Sequence, residues 1–127
     1  MKELQLVDNS GRSMREVVAD LNQDLKKHDR WERELAAQCR AAGFTVKSQV
    51  KNLIPGRKFV FDLLVFPREG SYWEAPEYSV LVEVRVVSMQ RDCEKVNLAQ
   101  LAGYVCLLVA PDHVKSGQAL NWIEEAI

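Results

Sequence analysis

The chain has 127 residues, with 17 Lys and Arg against 18 Asp and Glu and a formal net charge of -1. At this length roughly two-thirds of the unfolded chain's surface is buried around one core, so a single domain over residues 1–127 is expected. A composition 47% hydrophobic and 28% charged excludes a disordered tail or a low-complexity fibre, and the balanced charge excludes a global positive field.

Cys39, Cys93 and Cys106 have no paired spacing, and His28 and His113 lie far apart, so neither a disulfide framework nor a zinc site is expected. The cysteines read as small apolar fillers. No apolar run approaches the roughly 18 residues of a membrane span, and the polar start points to a cytoplasmic chain with no membrane role.

Ser13 with Glu16 forms a capping-box pattern ahead of Met14, Val17, Val18, Leu21 and Leu25, which predicts a helix from about Met14 to Lys27. Asp29 with Glu32 repeats the box. Trp31, Leu35, Cys39 and Ala42 then mark one face of a second helix, ended by Gly43. Phe44 to Val50 alternates as an edge strand does, and a Pro-Gly turn follows at Pro55. The runs FVFDLLVF from Phe59 and VLVEVRVV from Val80 are nearly continuous in apolar residues, as strands covered on both faces are. Between them Pro67, Gly70 and Pro76 mark a long hairpin connection. A helix from about Arg91 to Ala102, a buried strand YVCLLVA, and a last helix from about Gln118 to Ile127 complete the order, with Leu120, Ile123 and Ile127 inward. This order predicts an α/β fold, a mixed sheet flanked by helices.

The chemistry lies in the charges that break the pattern. Asp62 is the one charged residue in its run, and Glu83 and Arg85 are the two in theirs. Strand side chains alternate, so Glu83 and Arg85 share a face and form a pair. A buried carboxylate without a partner costs several kcal/mol. If the two strands form a hairpin, Asp62 and Glu83 approach each other, and a divalent cation would relieve their repulsion; such hard oxygen donors suit Mg2+ or Mn2+. A buried Asp62–Arg85 salt bridge explains the same charges without a metal. On the second helix, Glu32 falls about 60° from the centre of the apolar face at Leu35, where it can reach a cleft beside the sheet, while Glu34 at about 100° faces water. Glu32 is equally the third residue of its capping box.

The helix WERELAAQCRAAGFTV, then Asp62 in a strand, then Glu83-Val84-Arg85 in the next, resembles the core of the PD-(D/E)XK nuclease superfamily. The helix is particularly similar to that of archaeal Holliday-junction resolvases. The match runs from about Trp31 to Ala110. It implies a restriction-endonuclease-like αβββαβ core with an added N-terminal and C-terminal helix, and a metal-dependent nuclease acting on DNA in preference to RNA. The resemblance further implies that Asp62, Glu83 and the Val84 carbonyl bind Mg2+ or Mn2+, that Glu32 acts through the metal's water shell, and that Gln100 supports the site from the following helix. Gln100 also reads as a solvated helix residue. Arg85 stands where the family carries lysine. Arginine keeps the positive charge but cannot act as a base at neutral pH. Two functions follow: a nuclease with Arg85 steadying charge on the phosphate, or a catalytically impaired module on the same scaffold that binds nucleic acid or a protein. Cutting two strands would call for a homodimer.

Lys47, Lys51, Arg57 and Lys58 surround the first strand and the loop before Asp62, where they would contact a nucleic-acid backbone. A solvated loop is the alternative, and Glu69, Glu74 and Glu77 give the other loop the opposite sign. Trp73 reads as a core or rim residue with a second use as a stacking platform.

Overall fold

Four strands form one mixed sheet in the order β1-β2-β3-β4, in a computed structural model that describes residues 30–85 and 90–127. The elements are α1 (residues 30–41), β1 (Thr45–Lys51), β2 (Val60–Phe66), a 3-10 turn (Ser71–Glu74) and β3 (Val80–Val84). They continue with α2 (Gln90–Leu101), β4 (Val105–Val109), α3 (Pro111–Ser116) and α4 (Gln118–Ala126). The helix expected at Met14 to Lys27, and the cap expected at Asp29, lie outside the described residues.

β1 runs antiparallel to β2 from Thr45 opposite Phe66 to Lys51 opposite Val60, and β2 runs antiparallel to β3. β3 and β4 are parallel, joined through α2. The two faces of the sheet bury separate cores. Leu35, Ala36 and Cys39 of α1, Val114 of α3, and Ala119 and Ile123 of α4 pack on Val80, Val82 and Val84. Ala99 of α2 packs with Phe59, Phe61, Leu64, Phe66 and Leu81 on the other side. With both faces covered, β2 has no room for polar residues, and Asp62 is its sole exception. Each fully buried Leu or Phe contributes roughly 1.5–3 kcal/mol through water exclusion.

Three expectations are corrected by this arrangement. The apolar run YVCLLVA is a sheet edge, not a buried strand: Val105 and Leu108 of β4 are exposed, because β4 has a described neighbour on one side alone. The last helix turns Ala119 and Ile123 inward, while Ile127 lies past the helix end at Ala126 and is exposed. Cys39 and Cys106 are buried fillers as expected, but Cys93 is exposed on α2.

Gln49 breaks the alternation of β1. Its φ of 53° lies in the left-handed region, a conformation that costs a non-glycine residue about 1 kcal/mol or more. Val46 before it belongs to the α1 core, while Val50 after it packs on the α2 core. Four residues apart on a regular strand they would share a face. The kink at Gln49 therefore wraps the end of β1 toward the α2 side.

Candidate functional site: a carboxylate pair closed by an arginine

β2 and β3 pair as far as Leu63 opposite Val82. One position further, Asp62 and Glu83 face each other, and each carboxylate accepts a backbone N–H from the opposite strand. The Asp62 N–H donates to Glu83 Oε1 at 2.9 Å, and the Val84 N–H donates to Asp62 Oδ2 at 2.9 Å. These bonds satisfy backbone donors that would otherwise be buried without partners, and they hold the two acids in place. Glu83 is fully buried and Asp62 is 5% exposed.

The cation they share is the side chain of Arg85. Its Nη1 donates to Asp62 Oδ2 at 2.5 Å and to the Val84 carbonyl at 2.8 Å, and its Nη2 lies 2.7 Å from Glu83 Oε2. Its Nε reaches Asp92 Oδ1 at 3.4 Å. Burial works against the guanidinium's charge, but Glu83, Asp62 and Asp92 outweigh it and hold the Arg85 pKa above its ordinary value. The pairing of Glu83 with Arg85 expected from strand alternation is present, and so is the salt bridge between Asp62 and Arg85.

α2 completes the site with two residues that the sequence reading passed over. Lys95, 6% exposed, donates to Glu83 Oε2 at 2.9 Å and to the Val60 carbonyl, and its ammonium sits 4.9 Å from the centre of the Phe61 ring. Asp92, in the first turn of α2, is also buried. Asp92, Lys95 and Ala99 recur at helical spacing, so the position of Ala99 on the apolar face was the signal that placed the other two inward. Gln100 is exposed, on a different face of the helix. The Glu83 carboxyl is pushed above the usual carboxylate range, first by burial and second by Asp62, against the opposing pull of Lys95 and Arg85.

A cleft of about 320 Å³ opens on this cluster, lined by Gln49, Lys58, Phe59, Val60, Asp62, Arg85, Asp92 and Lys95. A second cleft is lined by Glu32, Arg33, Ser48 and Gln49. Gln49 borders both, and its Nε2 donates to Glu32 Oε1 at 2.6 Å. Glu32 is thus buried at the edge of α1 as expected and reaches the cluster's cleft through Gln49, while Glu34 is exposed. The basic residues divide. Lys47 is paired with Glu74, and Arg57 with Glu94. Lys58 lines the cleft, and Lys51 is exposed on β1. Trp73 packs against the α2 core with Arg68 stacked 4.9 Å from its ring centre.

The three donors that the resemblance assigns to a metal, Asp62, Glu83 and the Val84 carbonyl, do converge on one cation, and it is the guanidinium of Arg85. Both oxygens of Glu83 are engaged. A divalent ion beside that guanidinium at about 4 Å would meet a repulsion of roughly 4 kcal/mol per unit charge at an effective dielectric of 20. The residues as arranged do not fit a metal together with Arg85. Among the described residues, no group of three His, Cys, Asp or Glu side chains is placed to hold one, and no helix is long and apolar enough to cross a membrane. No family model matches the chain, and no curated protein and no solved structure matches it.

Proposed function

We propose that this chain is a restriction-endonuclease-like domain, impaired in catalysis, that binds nucleic acid at the Asp62–Arg85 cleft, with DNA preferred over RNA. The observation that carries the reading is the convergence of Asp62, Glu83 and the Val84 carbonyl on Arg85. The acids that would hold a metal are neutralised from within, so phosphodiester binding remains while metal-assisted hydrolysis is lost. Lys58 at the cleft, Lys51 on the neighbouring strand and Arg33 of the second cleft are the cations placed to meet phosphates. Lys47 and Arg57 contribute less, because their charges are spent on Glu74 and Glu94.

A direct test measures binding of fluorescent duplex, branched and single-stranded DNA and of RNA, with cleavage followed in the same tubes in Mg2+ and in Mn2+. The Lys51→Ala/Lys58→Ala double variant should bind more weakly and show a shallower salt dependence. No binding to any of these substrates sinks the nucleic-acid reading.

One observation favours a second reading, an active Mg2+- or Mn2+-dependent DNA nuclease. Lys95 brings an ammonium to Glu83 from α2, so a lysine stands in the site although the strand position carries arginine. In that case Arg85 would have to leave the carboxylates before a metal enters. Efficient cleavage by the wild type, absent in Asp62→Ala, decides for this reading.

A further inference from the structure

We propose that Gln49 is a base-reading residue, which selects adenine in the major groove of a bound DNA duplex. The inference rests on the reading of the Asp62–Arg85 cleft as a nucleic-acid site and adds what is read there.

β1 and β2 pair with Ser48 opposite Leu63 and Val50 opposite Phe61, which sets Gln49 in register with Asp62. Gln49 is exposed and lines both clefts, with Lys58 in the first and Arg33 in the second. Cations on either side suit phosphates, which carry no sequence information, and the residue at the shared border is left to meet the bases. Among the side chains lining the two clefts, Gln49 is the one amide. Arg85 and Lys95 are taken up by Asp62, Glu83 and Asp92.

The amide is also oriented. Its Nε2 donates to Glu32 Oε1 at 2.6 Å, and because a carboxylate oxygen accepts, the amide nitrogen and not its oxygen must face Glu32. This leaves the second N–H and Oε1 for a ligand, a donor and an acceptor side by side. In the major groove that pair complements the N7 acceptor and N6 donor of adenine, while guanine offers two acceptors there. The backbone adds an independent observation. At a φ of 53° glycine or asparagine would sit at lower cost, so the conformation alone does not ask for glutamine. Strain held at the border of a cleft points to a use for the side chain it presents.

A DNA duplex library with eight randomised base pairs, bound in chelator by wild type and by Gln49→Gly, tests this. Wild type should enrich an A·T pair at one position. Replacing that adenine by 7-deazaadenine, which lacks the N7 acceptor, should weaken wild-type binding about 3- to 10-fold. Gln49→Gly should bind the two duplexes equally and keep the wild-type salt slope, because the phosphate contacts remain. Its melting temperature should stay within about 4 °C of wild type, since glycine suits the backbone. Should Gln49→Gly not fold, Gln49→Asn, whose amide falls one methylene short, applies the same criterion; failure of both to fold marks Gln49 as structural and overturns the inference. Absence of enrichment at any position, or a 7-deazaadenine effect as large in the variant as in wild type, overturns it and leaves DNA binding standing. A wild type that binds no duplex at all removes the proposed function and this inference with it.

Discussion

Arg85 and Asp62 meet at 2.5 Å across two adjacent strands, and through that contact the last residue described on the β3 side closes an acid that lies near the start of β2. The Arg85 N–H also donates to the Val109 carbonyl of β4 at 2.8 Å, so its backbone is tied to one neighbour strand while its side chain is tied to the other. Lysine at this position has a single ammonium and cannot touch Asp62, Glu83 and Asp92 at once. Arg85→Lys is therefore expected to loosen the cluster, lower stability by about 1–2 kcal/mol, and raise Mg2+-dependent cleavage of DNA above the wild-type level. Gel assays on linear, branched and single-stranded DNA, with Asp62→Ala as control, check this. Lower cleavage in Arg85→Lys than in wild type would mark the arginine as an adapted catalytic group.

Lys95 is the interior partner of Glu83, and its loss leaves a buried carboxylate held from one side. Lys95→Met keeps most of the packing against Phe61 and should destabilise the fold by about 3 kcal/mol. Lys58→Ala, at an exposed position, should change stability by less than about 0.5 kcal/mol. Urea unfolding of the two variants side by side gives the comparison. Equal effects would mean that Lys95 has no structural role in the cluster.

Glu83 gives the fold a specific pH response. Burial and the charge of Asp62 raise its pKa in the folded chain, so between the ordinary carboxylate value and the raised one the folded chain holds a proton that the unfolded chain has released. Stability from this residue therefore increases as pH falls into that window and is lost as pH rises through the raised value. Urea unfolding at a series of pH values should show the wild type gaining on Glu83→Gln as the solution is acidified through the window. The opposite slope would mean that Arg85 and Lys95 dominate and hold Glu83 ionised.

The cysteines should separate cleanly in reactivity. Burial pushes the Cys39 thiol up to about 11 and the Cys106 thiol up to about 12, with Glu83 adding to the second. Neither forms a thiolate near neutral pH, and both are sheltered from solvent. A thiol reagent at pH 7.5 should label Cys93 rapidly in the native protein and the other two upon unfolding. Rapid native labelling at Cys106 would show that the α2 side of the sheet opens readily.

The element order and the two principal acids were legible in the sequence because each depends on local regularities. Two apolar runs, one interrupted by Asp62 and the other by Glu83 and Arg85, determined that these charges had to be explained together, and strand alternation alone put Arg85 beside Glu83. Helix periodicity placed Glu32 at the border of the buried face and Glu34 in water. The tertiary structure decided what these residues do to one another. Whether the cation between Asp62 and Glu83 is a metal or an arginine depends on distances set by the register of β2 against β3, which no spacing in the chain encodes. Lys95 and Asp92 entered the site because α2 packs across the sheet with that face inward, whereas Gln100, chosen by analogy of position, points elsewhere on the same helix. The left-handed turn at Gln49 had no sequence mark, since glutamine carries no preference for that conformation; in the fold it accompanies a contact with Glu32 and the passage of β1 from the first core to the second. Likewise the apolar run of β4 reads as interior, yet its exposure is fixed by its place at the edge of the sheet. Local pattern reports which residues prefer burial or a given backbone shape, while charge partners and sheet edges are properties of elements brought together from distant parts of the chain.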